Sequence, residues 1–229
     1  MDNAIVIIGG MGPQASLSLH QRVVEGSTKL HNGSPEGFPL ILHASLPVPD
    51  FIASPEQYKQ ALRMVQEACQ HLPLQSAAAI GIACNTAHLM VDDLPLTGTK
   101  FVSMLDQVVA VAKDDGVKTV GLLASPHTVN TRLYQNKFED VGVQVVLPNK
   151  KELEQLDSII HAVIAGKNSA QQRDKLTVVA DHLLQQGAER IVLGCTELPI
   201  VGLPQRIPTI DSLQALADGL LEKYYQRPV

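Results

Sequence analysis

The stretch "IGIACNTAHLM" (residues 80–90) decides how this chain is read. A short run of small and β-branched apolar residues ends in Cys84, and Asn85 and Thr86 follow where a helix would begin. A second stretch, "IVLGCTELPIV" (191–201), repeats the plan: apolar run, Cys195, then Thr196 and Glu197. An apolar run of this length reads as a strand buried on both faces, as in a parallel sheet. Two of the three cysteines therefore sit at the carboxyl ends of buried strands, one in each half of the chain.

Working outward, runs of the same kind recur at 4–10, 39–45, 77–83, 99–104, 118–124, 143–148, 190–195 and 207–211. Helix-length segments lie between them, at 14–30, 55–71, 85–93, 106–115, 128–140, 150–165, 169–186 and 212–226. Strand alternating with helix predicts an α/β fold with parallel sheets flanked by helices. Ser54 before Pro55, with Gln57 three residues after the cap, marks a helix start. Gly116 and Gly187 mark helix ends.

"AIVIIGGMGPQAS" (4–16) parallels "KTVGLLASPHTVN" (118–130), and the two cysteine stretches parallel each other. This internal repeat predicts two similar lobes. The first is expected over 1–97 plus 207–229, and the second over 98–206. Ligands in open α/β sheets bind beyond the carboxyl ends of the strands. The active site is therefore expected between pseudo-two-fold-related lobes, with Cys84 and Cys195 across a cleft.

Composition narrows the function. The chain has 229 residues, 45% of them hydrophobic, and a net charge of −5. That charge argues against a nucleic-acid binder, and the absence of Trp argues against base-stacking platforms. No run is long enough for a membrane span. A cytoplasmic protein is expected, and three cysteines make a disulfide framework improbable there. Cys69, in mid-helix, reads as packing.

A thiol at a strand end before a helix is set up to ionise. Two such thiols facing one small pocket suit inversion of a stereocentre: one removes a proton from carbon, and the other returns one on the opposite face. Asn85, Thr86 and Thr196, with neighbouring backbone N–H groups, offer donors to a carboxylate and to the enediolate-like charge that develops. Competing signals are thin. "GMGPQA" (10–15) fits a loose dinucleotide fingerprint, but the following strand ends His43–Ala44–Ser45, without an acid for a ribose. His88, four residues after Cys84, could join a zinc site, though no other Cys/His cluster supports one. A serine-hydrolase G-x-S-x-G elbow is absent.

"GGMGP" (9–13), "CNTAH" (84–88) and "GCTEL" (194–198), in this order and spacing, resemble the aspartate/glutamate racemase family, nearer to its aspartate racemases. The resemblance spans essentially the whole chain. It implies a cofactor-independent isomerase of amino acids that uses neither PLP nor metal, commonly a homodimer. It implies Cys84 and Cys195 as the acid/base thiols. Met11, Gly12, Asn85, Thr86, Thr128 and Thr196 are implied around the substrate's carboxylate and amine, with Phe51 near its side chain. Glu197 and His88 stand as supporting residues behind the thiols. Aspartate racemases carry an arginine after a Pro-Asp pair and a lysine near the end of a later helix. Here Phe51 follows Pro49–Asp50, and Ile164 takes the helix position, with Lys167 nearby. A neutral amino acid or another carboxylic acid is thus an alternative substrate. A non-catalytic carboxylate-binding protein is the alternative of another class.

Overall fold

A computed structural model describes residues 3–167 and 169–226. It divides into two compact units. The first comprises the described residues up to Met104 together with those from Leu213 onward; the second is Leu105–Ser212.

The first unit is built on a three-stranded parallel sheet, order β2-β1-β3, from β1 (Ile5–Gly9), β2 (Ile41–Ser45) and β3 (Ala79–Ile82). Every residue of β1 and β3 is buried. Successive side chains of a strand point to opposite faces, so these runs feed two cores. Ile5, Ile7 and Ala79 pack with α1 (Pro13–His31) and α9 (Ser212–Tyr225), through Leu19, Val23, Leu216 and Leu220. Val6, Ile8, Ile80 and Ile82 pack with α2 (Pro55–His71), through Ala61 and Val65. Ser54 caps α2, its hydroxyl accepting the Gln57 N–H at 3.2 Å, with Pro55 in the first turn.

The second unit carries a four-stranded parallel sheet, order β5-β4-β6-β7. Its strands are β4 (Thr119–Leu123), β5 (Gln144–Val146), β6 (Arg190–Leu193) and β7 (Thr209–Asp211). Its helices are α3 (Met104–Asp114, whose first residue still belongs to the first unit), α4 (Pro126–Asn130), α5 (Leu133–Asp140), α6 (Lys150–Ile164), α7 (Ala170–Gln185) and α8 (Leu198–Val201). Capping boxes open α6 at Asn149 and α7 at Ser169. In both sheets the first strand in sequence lies between the second and the third, and the third ends at a cysteine. The internal repeat of the sequence is thus a repeat of topology.

Four expectations change. Residues 99–104 form no strand. They make one bridge, Phe101 beside Ile80, with two backbone bonds, Ile80 N–H to Lys100 and Val102 N–H to Ile80. Met104 already starts α3. The segment 86–93 is a 3-10 helix. The helix expected over 128–140 is two, because Arg132 adopts φ 56° and breaks the ladder between α4 and α5. The boundaries between units fall later than 97/98 and 206/207. The bridge at Phe101 holds that segment on the first sheet. Residues 207–211, expected to return to the first lobe, instead hold β7, which pairs with β6 (Val192 with Ile210, Leu193 with Asp211). Only α9 belongs to the first unit.

Leu220 on α9 is fully buried in the first unit's core. Leu220→Ala is expected to cost about 3 kcal/mol, from lost transfer energy plus a residual cavity. Val178→Ala, at a position 65% exposed, is expected to change stability by less than about 0.5 kcal/mol. Urea unfolding of both variants measures the difference.

Candidate active site

In the first unit, β1 ends at Gly9 and the chain turns through Gly10 to Pro13, the first residue of α1. Gly10 has φ +94°, and a Cβ there would meet the Leu46 backbone at 2.2 Å. Only glycine fits that turn. Ser16, fully buried, holds it from the helix side: its Oγ accepts the Gly10 N–H at 3.3 Å and donates to the Pro13 carbonyl at 3.0 Å. Met11 and Gly12, half-buried, lie at the apex. Met11 packs against the apolar cluster that contains Cys84.

Cys84 is buried two residues beyond β3, and Asn85 beside it is buried as well. Thr86, half-buried, opens the 3-10 helix. His88 fixes this segment. Its Nε2 accepts the Met104 N–H at 3.1 Å, so the ring proton sits on Nδ1, which donates to the Cys84 carbonyl at 2.9 Å. Both nitrogens are engaged, which speaks against His88 as a zinc ligand. Among the described residues, no group of three or more His, Cys, Asp or Glu is arranged to hold a metal ion. Phe51 is buried in the same apolar cluster as Cys84, with Ala87 and Met90, and Leu46, Val48 and Ile52 pack against it.

The second unit repeats the arrangement with different chemistry. Ser125 caps α4. Its Oγ accepts the Thr128 N–H at 3.2 Å and donates to Thr128 Oγ1 at 3.0 Å, which orients a fully buried threonine hydroxyl. Gly194 permits close packing after β6: a Cβ there would meet Leu122 at 2.8 Å and the Tyr134 ring at 3.1 Å. Cys195 follows, partly exposed. Its Sγ donates to Glu197 Oε2 at 3.1 Å, and Thr196 Oγ1 donates to the same oxygen at 3.0 Å. Tyr134 is fully buried behind this segment. Burial, and then the nearby Cys195, hold its phenol far above the ordinary range; a hydrogen bond with Ser212 opposes this weakly, and Asp211 adds to it. The phenol therefore stays neutral.

Of the expected residues, Met11, Gly12, Phe51, Cys84, Asn85, Thr86 and His88 belong to the first unit, and Thr128, Cys195, Thr196 and Glu197 to the second. Cys69, on α2, is buried in the same apolar cluster as Cys84, and burial pushes its thiol up to about 11. Ile164 is 47% exposed at the end of α6, and Lys167 just beyond it is exposed. Three contributors escaped the sequence reading. Ser125 had a local signal, the cap spacing of "SPHT" (125–128). Ser16 had none, although its partners Gly10 and Pro13 are close in sequence; Tyr134 had none, since its role depends on packing against the distant Gly194 segment.

A strand-end cysteine in each half, with hydroxyl and amide groups beside it, is the feature common to both units. The model of the Asp/Glu/Hydantoin racemase family matches residues 8–220, and the chain belongs to that family. The aspartate racemase of Picrophilus torridus is 26% identical and superposes with a TM-score of 0.83, over 99% of this chain and 96% of that one. An aspartate racemase homologue from Pyrococcus horikoshii OT3 is 27% identical, with a TM-score of 0.80, over 97% and 99%. The broad specificity amino-acid racemase of Bacillus subtilis (strain 168) is 24% identical over 224 residues, 96% of this chain and 97% of that protein.

His88→Ala removes partners from the Cys84 carbonyl and the Met104 N–H. It is expected to lower stability by about 2 kcal/mol, read by urea unfolding, with a larger loss than for alanine at the exposed His161.

Proposed function

We propose that the protein is a cofactor-independent amino-acid racemase that inverts the α-carbon by two-thiol acid/base chemistry. The observation that carries this reading is the duplicated placement: a cysteine just past the third strand of each sheet, beside buried donors. Cys84 and Cys195 exchange protons with the α-carbon, one on each face. Removing the α-proton moves charge onto the substrate carboxylate, and the hydroxyls of Thr86, Thr128 and Thr196, the Asn85 amide and the Met11–Gly12 backbone stabilise that charge. The proton-transfer groups are the chain's own. The reading therefore uses no PLP and no metal, and it takes the enzyme as a cytoplasmic homodimer, as the resemblance implies.

The side chain accepted is proposed to be neutral, or one of a broad range. Phe51, buried in an apolar cluster with Cys84, stands where a cation would pair with an acidic side chain, and Ile164 offers no charge. An uncompensated carboxylate against such a surface costs several kcal/mol. The Bacillus subtilis relative, a broad-specificity racemase by name, supports the same view.

Incubation in D₂O with a panel of L- and D-amino acids, with the Cα–H signal followed by NMR, tests the reading. Exchange with inversion is expected for neutral amino acids and to a lesser degree for aspartate. Cys84→Ser and Cys195→Ser are each expected to lower the rate by at least about a hundredfold. Aspartate as the fastest substrate would overturn the neutral-side-chain reading. No exchange with any amino acid would overturn the racemase itself and point to another carboxylic acid or to a binding role.

A further inference from the structure

Each unit carries a cysteine two residues past the third strand of its sheet, and the residues that follow differ in charge. Two residues after Cys84 stands Thr86; two residues after Cys195 stands Glu197. The Glu197 carboxylate is only 6% exposed, and a single oxygen, Oε2, accepts from both the Cys195 thiol and the Thr196 hydroxyl. Two donors on one oxygen hold the carboxylate as an acceptor and fix its orientation toward the sulfur.

From this geometry we infer that Glu197 is a positioning residue that holds Cys195 in its protonated, hydrogen-bonding thiol form. The shared proton lies on sulfur, with the carboxylate oxygen as acceptor. Ionising Cys195 would set a second negative charge about 3 Å from the first, and it would give up a hydrogen bond that only the thiol form can donate. The Tyr134 phenol on α5 stays neutral, and Asp211 at the end of β7, beside that phenol, is acidic.

The inference rests on the two-thiol reading for its consequence in turnover. The substrate's Cα–H bond breaks toward the Cys84 thiolate, which becomes a thiol. The Cys195 S–H bond breaks toward the opposite face of the carbanion, leaving Cys195 as a thiolate. That product state carries a thiolate beside a carboxylate, so the protons return to their resting positions before the next turnover in the same direction.

Thiol alkylation tests this without substrate. In the full chain carrying Cys69→Ser and Cys84→Ser, the rate of Cys195 alkylation by iodoacetamide is followed against pH. The midpoint is expected above the ordinary 8.5. Glu197→Gln keeps the shape and an acceptor but removes the charge, and is expected to lower the midpoint by about one pH unit. At pH 7 the rate then rises about threefold, because tenfold more thiolate is offset by its lower nucleophilicity. Glu197→Asp retains the charge and is expected to keep the midpoint high. An unchanged or raised midpoint in Glu197→Gln would overturn the inference. If circular dichroism shows that Glu197→Gln does not fold, the wild-type protein decides, with Cys84 and Cys195 resolved by peptide mass spectrometry. A Cys195 midpoint above the ordinary 8.5 supports the assignment, and one at or below it overturns it. Failure of the racemase reading would appear as absent Cα–H exchange, with this titration unaffected.

Discussion

Parallel pairing of β1 with β3, and of β4 with β6, is the constraint on which everything else depends. Strands that run the same way must be joined by crossovers, and in this chain those crossovers contain helices that cover the sheet faces. Within each unit the carboxyl ends of all strands then fall along one edge. A residue that follows a buried strand is delivered to that edge without any contact of its own. The glycine turn after β1, Cys84 after β3, Ser125 after β4 and Cys195 after β6 are all placed this way. The chemistry is a by-product of strand direction, refined by a few hydrogen bonds.

Those refinements differ between the halves. In the first unit the cysteine backbone is held by an imidazole that spans the Cys84 carbonyl and the Met104 N–H. In the second, a carboxylate addresses the sulfur itself. A duplicated scaffold therefore supports two thiols whose surroundings are chemically distinct.

The sequence showed much of this because buried parallel strands announce themselves as short apolar runs. β1, β3, β4 and β6 all read that way, and each ends beside a site residue. The cap at Ser54 is equally local, and α2, α6 and α7 lie close to their expected bounds. What stayed hidden depended on distant partners. Residues 99–104 have strand composition, but the backbone finds only Ile80 to pair with. β7 and α9 are adjacent in sequence, yet the strand follows hydrogen bonds to β6 while the helix follows its apolar face to the first core. At the site, the cysteines and their polar neighbours were legible. The Ser16 and Tyr134 contributions were not, since nothing in the flanking residues reveals which serine or tyrosine will be buried.

The passage from β7 to α9 also orders the protein's biosynthesis. The second unit, Leu105–Ser212, is contiguous in sequence and can close its core once Ser212 is available. The first cannot, although it starts earlier. One face of its sheet is covered by Leu213, Leu216, Leu220 and Leu221, which are translated after the whole second unit. On the ribosome, Ile5, Ile7 and Ala79 therefore await their cover while more than a hundred further residues are made. The unit begun first is finished last, and its waiting apolar face is the surface of the nascent chain most in need of a chaperone.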